Sequence, residues 1–395
     1  MENLSDKIAV VGIGESEYTM RKNTKRGAKE LVIEAVREAL DDAGLTSKDI
    51  DGVIGGYRAT QLFPHTDMAF NVGIDYRFHG ALGDLSGSNS SSFLLAAMAI
   101  ATGQADTVLT YYTNGFGSAP LRLWGPYGPN LLGYMKDNFE TPYGNNEQLM
   151  NYGQVATRYM HEYGFSGEQL TRQLGAIAVD HRHKALLNGK GVTKKPLSFE
   201  DYLNSPMVAT PLRRDDCCVL TDGACAWIMT SAERAKDFHH RPVYVTGIGY
   251  ARTPQTMANA HTQDARGYFH RPHEAQSLDR SLQMADMSRD DLDFAEIYDA
   301  YTIMLLTFLE SYGFCKKGEG GAFVQSGAIG LDGSLPVNTH GGHLSHSYLN
   351  GASHTVEAIK QLRGEAGACQ VKQAKTGLLC VGTIWENYAI IFRRG

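Results

Sequence analysis

The chain of 395 residues contains two copies of one pattern, and this duplication restricts its fold more than any other feature. Residues 7–14 read KIAVVGIG and residues 241–249 read RPVYVTGIG, each a short β-branched run ending in Gly-x-Gly. Farther along, ALDDAGLTSKDIDGV (39–53) aligns without gaps on SLQMADMSRDDLDFA (281–295). Each copy begins as the end of an amphipathic helix. It turns through Thr46-Ser47-Lys48-Asp49 or Ser288-Arg289-Asp290-Asp291, a hydroxyl cap followed by acids, and enters a short strand. Two matches in the same order imply two α/β halves related by a pseudo-twofold axis, 1–240 and 241–395. The Gly-Ile-Gly runs at 12–14 and 247–249 lack a full GxGxxG and are read as strand-end turns, not dinucleotide sites.

The remaining segments fit this plan. Residues 27–43 show helical spacing of apolar positions, and SSFLLAAMAIATG (91–103) is apolar on nearly every side, which predicts a buried central helix. ADTVLTYYT (105–113) and VLTDGACAWIMTS (219–231) read as core strands. Between them, residues 115–210 are irregular, with aromatic and Pro/Gly turns and a helix at 148–164, and are read as a loop or cap excursion over the first half. LLCVGTIW and NYAIIFRR (378–385, 387–394) predict a final antiparallel pair turning at Glu386-Asn387.

Composition excludes several function classes. The 37 basic and 43 acidic side chains leave a net charge of −6, and no basic stretch is dense enough for a nucleic-acid groove. No apolar run approaches the ~18 residues of a membrane span. The first twenty residues carry early acids and no signal-peptide core, so a cytoplasmic protein is expected. The six cysteines form no CxxC, which argues against a zinc ribbon or redox dithiol and predicts reduced, mostly buried thiols. His340, His343, His346 and His354 fit no helical ligand spacing in a Gly-rich segment, so no metal site is expected.

Several motifs, in order along residues 7–395, carry a resemblance: VVGIG; GQADTVL (103–109); DDCCVLTDGACAWIMTSAERA (215–235); IYDAYT (297–302); NTHGGHLSHSYLNGASH (338–354); and CVG (380–382). Together they resemble the thiolase superfamily, in its sterol-carrier-protein, lipid-transfer branch. The resemblance implies a thiolase fold, with two βαβαβ-type halves in a five-layer αβαβα arrangement. It also implies a homodimer and a small OB-fold, zinc-ribbon partner protein that would hold the only zinc.

The departures from that family decide the expected chemistry. The nucleophilic Cys before the central helix aligns with Ser86, whose hydroxyl has a far higher pKa and no evident base. The lead residue of the Asn/His-Glu/Asp-x-Phe motif is Tyr298, in Tyr298-Asp299-Ala300-Tyr301. The His of the Gly-His-Pro motif is replaced by Tyr348, and only the second family cysteine survives, as Cys380. This pair of phenols resembles the steroid side-chain aldolases of the lipid-transfer group, which implies retro-aldol cleavage of a β-hydroxyacyl-CoA to a ketone and a short acyl-CoA such as propionyl-CoA. Tyr298 and Tyr348 are then the candidate catalytic residues. Ser86, His343, His346, Cys380 and Gly382 are expected around the acyl-CoA, with coenzyme A entering only as part of the substrate. Phenol starts near pKa 10, so one of the pair would need a nearby charge or donors to act as base, and His343 or His346 is expected to supply them. Asp299 is given no catalytic role, because sequence neighbours often point oppositely. Two other readings stay open: a degradative thiolase or acyltransferase variant using Cys380, and an inactive acyl-CoA-binding scaffold.

Overall fold

In each half a helix lies so close on a central strand that only glycine fits beneath it. The computed structural model describes residues 4–20, 26–56, 62–81, 88–115, 141–145, 148–252, 272–382 and 386–395. In the first half, β1 (Ile8–Glu15) runs under the helix Ala28–Ala43, and a Cβ on Gly12 or Gly14 would overlap the backbone carbonyls of Ala39 and Ala35. In the second half, β9 (Val243–Arg252) runs under the helix Pro272–Ala285, and a Cβ on Gly247 or Gly249 would overlap the carbonyls of Ser281 and Ser277. The Gly-Ile-Gly runs are therefore not strand-end turns. They sit inside strands, as sites of close backbone approach.

The other strands are β2 (Thr19–Met20), β3 (Gly52–Gly55), β4 (Phe78–Ala81), β5 (Thr107–Gly115), β6 (Met207–Ala209), β7 (Leu212–Arg213), β8 (Thr221–Ser231), β10 (Phe294–Ile297), β11 (Thr376–Gly382) and β12 (Glu386–Arg394). The main sheet runs β4-β3-β5-β8-β1-β9-β12-β11-β10, with β2 added on β8. Outward from the β1–β9 seam, both wings repeat two antiparallel steps and then a parallel one: β1-β8-β5-β3 and β9-β12-β11-β10. Where β4 continues the first wing, a single parallel bridge between Ala295 and Val337 stands in the second. The aligned turns also match: Asp49 Oδ2 accepts the Thr46 N–H at 2.8 Å, and Asp291 Oδ2 accepts the Ser288 N–H at 2.7 Å.

The helices Ser88–Ala101 and Ala352–Arg363 touch strands of both wings, while the two glycine-seated helices each cover one wing. The layers are thus helix, sheet, helix, sheet, helix, as expected. The turn at Glu386-Asn387 is corrected: both residues belong to β12, paired with Arg252 and Ala251.

The excursion also departs from expectation. Its helices Gln148–Tyr163, Gly167–Asn188 and Phe199–Asn204 do not lie over the first half alone. The long middle one packs on Thr302–Ser311, Gly320–Gln325 and the turn Gly342–His346, all from the second half. Polar anchors hold it there: buried Lys184 donates to the Ile329 and Val337 carbonyls at 2.7 and 2.8 Å, and the Tyr159 hydroxyl donates to Glu310 at 2.5 Å. None of these partners is adjacent in sequence, so hydropathy spacing could not reveal them. No helix among the described residues is long and apolar enough to cross a membrane.

The strand–helix contact generates a prediction. Gly249→Ala places a methyl against the Ser277 carbonyl, and such overpacking destabilises a fold by about 1–3 kcal/mol. The variant should melt at a clearly lower temperature than wild type in a calorimetric scan. An unchanged melting temperature would show that the helix can lift off the strand without penalty.

Candidate active site

Tyr298 immediately follows β10, a strand buried along its whole length, and its N–H donates to the Cys380 carbonyl on β11 at 2.9 Å. The side chain of Asn338 fastens the end of β10: the Ile297 N–H donates to Asn338 Oδ1 at 2.7 Å, and Asn338 Nδ2 donates back to the Ile297 carbonyl at 2.8 Å. From Asn338 the chain passes through Gly341 and Gly342, both at positive φ (100° and 60°), into a wide single turn over Gly342–His346. A side chain at Gly342 would overlap the Asp299 carboxylate, so this tight path needs glycine. The turn delivers Tyr348, whose N–H donates to Thr221 Oγ1 at 2.9 Å and whose carbonyl accepts from Asn114 Nδ2 at 2.7 Å.

The two tyrosine hydroxyls lie 2.9 Å apart, within hydrogen-bond distance, although fifty residues separate them in sequence. Both side chains are buried. Burial, then the neighbouring phenol of Tyr348, then Cys218 and Tyr152 hold Tyr298 protonated far above the ordinary tyrosine range. None of these neighbours is a cation. Tyr301 stacks on Tyr152 at 4.5 Å between ring centres, and Cys217 bridges to Tyr301 through backbone pairing. Helix Gln148–Tyr163 of the excursion thus contributes to the wall beside the pair.

His343 touches both phenols edge-on, with ring centres 5.0 Å from Tyr298 and 4.9 Å from Tyr348. Its Nε2 accepts the Gly351 N–H at 3.0 Å, which leaves the proton on Nδ1 to donate to the Ser347 carbonyl at 2.8 Å. Burial, then His354, push its pKa down to about 3. His346 bonds Ser347 Oγ at 2.9 Å and Asn188 Oδ1 at 3.1 Å, and burial followed by His340 lowers it well below the imidazole range. The expectation that either histidine brings positive charge or a hydrogen bond to Tyr348 is therefore corrected. Both rings are neutral, and their nitrogens are already engaged. A buried cation would need a carboxylate in direct contact, as His340 has in Glu296 at 3.1 Å; there burial lowers the imidazole, but Glu296, Glu357 and Asp299 together raise it overall.

The other expected residues spread out. Cys380 is wholly buried on β11, its thiol hydrogen-bonded to the Tyr312 hydroxyl and pushed up by burial, away from thiolate. Gly382 ends β11 pressed against the start of β12. Ser86 lies outside the described residues. Among the described residues, two fully buried groups could hold a cation by composition: Glu296 with His340 and His354, and Asp299 with His343 and His354. In the second, both His343 nitrogens are already taken by backbone groups.

Three residues that position Tyr348 escaped the sequence reading: Asn114, Thr221 and Asp299. Asp299 carries no contact to either phenol among the described hydrogen bonds; its Oδ1 accepts the backbone N–H of His343 at 2.8 Å and bonds His354 Nε2 at 3.1 Å. Thr221 stands in the Thr-Asp-Gly run and Asn338 in the Asn-x-x-Gly-Gly run, and those motifs were the available signal.

Comparison with known proteins identifies the family of the chain. Residues 257–394 match the family model "Thiolase C-terminal domain-like". The chain is 35% identical over 371 residues, 91% of this chain and 92% of the relative, to the "17-hydroxy-3-oxo-4-pregnene-20-carboxyl-CoA lyase" of Mycobacterium tuberculosis. It is 32% identical to the "Steroid side-chain-cleaving aldolase" of Thermomonospora curvata, over 92% of each chain. Its fold is similar to the solved "Ltp2-ChsH2(DUF35) aldolase", with a TM-score of 0.89 and 30% identity, covering 100% of this chain and 99% of that one. A repeat-built sheet and these matches have one reading: the chain belongs to the thiolase superfamily, in the family of steroid side-chain-cleaving aldolases.

Proposed function

We propose that the protein is a carbon–carbon lyase that cleaves a β-hydroxyacyl-CoA by retro-aldol fragmentation. The observation that carries this reading is the 2.9 Å contact between two buried phenols, Tyr298 and Tyr348. Retro-aldol cleavage moves one proton overall. The β-hydroxyl loses its proton as it becomes a ketone, the Cα–Cβ electrons pass to the thioester as an enolate, and Cα gains a proton. Two hydrogen-bonded phenols can carry that proton as a relay: one accepts from the substrate hydroxyl as it passes its own proton to the other, which supplies Cα. Both phenols end in the state in which they began, so no resting phenolate is required. That suits a site where burial holds Tyr298 protonated and none of the groups acting on it is a cation.

The relatives' names point to a steroid side-chain CoA thioester as substrate. The aromatic and sulfur groups beside the pair, Tyr152, Tyr301 and Cys218, suit a bulky apolar ring system on the departing ketone. The released fragment would be a short acyl-CoA such as propionyl-CoA. The chain needs no cofactor of its own in this scheme. The solved aldolase paired with a DUF35 protein supports a partner of that kind here. We further propose a cytoplasmic homodimer carrying two copies of a small OB-fold partner, with zinc confined to the partner. A thiolase reading through Cys380 is disfavoured by its burial, which keeps the thiol protonated.

The test is incubation with a β-hydroxyacyl-CoA in the absence of free CoA, where ketone should form. Tyr298→Phe and Tyr348→Phe should each keep their melting behaviour and lose ~10²–10⁴-fold in turnover, the usual range for lost acid–base catalysis. The double variant should be barely worse than the worse single, because both phenols serve one proton transfer. Either Phe variant retaining more than about a third of wild-type turnover would remove the main support for the lyase.

A separate prediction concerns Ser86. Ser86→Ala should lower turnover only modestly, by less than about tenfold, well short of the loss for a nucleophile. An acylated Ser86 in intact-mass spectrometry would overturn the relay.

A further inference from the structure

We propose that His343 is the positioning residue of the site: an uncharged wedge that sets Tyr348 opposite Tyr298 and touches no reacting atom. The proposal rests on the reading of the two phenols as proton carriers. Three kinds of contact point to it. The ring packs edge-on against both phenols, at 5.0 and 4.9 Å, so one rigid group gauges both sides of the pair. Its two nitrogens bind the backbone on either side of Tyr348, Nδ1 to the Ser347 carbonyl and Nε2 to the Gly351 N–H, and so bracket that residue. Its own N–H is held by Asp299, the residue next to Tyr298, at 2.8 Å. The links therefore run from the end of β10 through Asp299 to His343 and on to Tyr348. The His343 ring is the side chain that lies against both phenols, so it gauges their spacing while Asn338, Thr221 and Asn114 hold the backbone on either side.

The surroundings keep that ring neutral. It faces the Asp299 carboxylate, the imidazoles of His354 and His340, and the two phenols. Both ring nitrogens have backbone partners, so a single tautomer, with the proton on Nδ1, satisfies every hydrogen bond. A protonated ring would set a second N–H against the Gly351 N–H. The chemistry thus keeps a histidine here for its shape and its paired donor and acceptor, and not for its charge. At sub-ångström tolerances such placement matters, since a displacement of about 1 Å can lower a rate ~10²-fold.

The experiment measures kcat, KM and pH–rate profiles for His343→Ala and His343→Asn, alone and combined with Tyr348→Phe. His343→Ala removes both backbone bonds and should lower kcat about 10²-fold with KM within about threefold of wild type. His343→Asn keeps an amide able to donate to the Ser347 carbonyl; it should recover at least about tenfold of that loss and leave the shape of the pH profile unchanged. In the Tyr348→Phe background either substitution should add less than about threefold, because a residue that acts through Tyr348 has nothing left to place. A general folding lesion would instead multiply with Tyr348→Phe, and that result overturns the proposal. So does wild-type kcat in His343→Ala, or an acid limb near pH 6–7 that vanishes in His343→Asn, which would make the ring a source of charge. If both tyrosine single variants stay active, the relay itself fails, an outcome separate from any behaviour of the His343 variants.

Discussion

Backbone packed directly on backbone is the constraint from which the rest of this molecule follows. In each half a helix carbonyl lies where a strand side chain would begin, over Gly14 in one and Gly249 in the other. Close packing of this kind leaves little freedom in the spacing of helix and strand, because neither side has a flexible group that can yield. The two strands so fixed, β1 and β9, are also neighbours at the centre of the sheet. The relative placement of the halves is thus set where the structure yields least, and the helices Ser88–Ala101, partly exposed at Met98, and Ala352–Arg363 touch strands of both wings.

That rigidity is what allows two buried phenols to be held together on loops. Tyr298 leaves the end of a buried strand, and Tyr348 ends a glycine-dependent turn; neither sits inside a regular element. Loops hold a geometry only when their backbone groups are tied to something stiff. Here Asn338 ties the end of β10, while Thr221, on the central strand β8, and Asn114, on β5, tie the backbone of Tyr348. Side chains from both halves and from the excursion thus meet at one point. The excursion helix Gly167–Asn188, packed on the turn Gly342–His346, braces the loop that carries Tyr348.

The electrostatics of the site follow from its burial. With the histidines beside the phenols kept neutral by desolvation, charge separation near the pair is disfavoured. Neutral proton relay is the chemistry such a dry environment supports best. A thiolase-type mechanism begins from a thiolate, which this environment opposes at Cys380.

Much of this was legible in the sequence, for a definable reason. The duplication, the capped turns at Thr46 and Ser288, and the motifs that carry Tyr298 and Tyr348 are local patterns, and local patterns survive in a linear string. Glycine is the instructive intermediate case: Gly-Ile-Gly was visible, but whether it served a turn or a close approach depended on which helix lay above it. The partners of Asn114, Thr221 and Asp299 were not legible, even where a motif marked the residue as with Thr221, since each binds a residue between 44 and 234 positions away. The charge state of His343 was misread for the same cause. Sequence showed an imidazole beside a tyrosine, and only the tertiary fold decided that backbone groups would occupy both nitrogens and that burial would keep the ring uncharged. Residue identity is written in the chain, whereas solvation and hydrogen-bond partners are properties of the assembled interior.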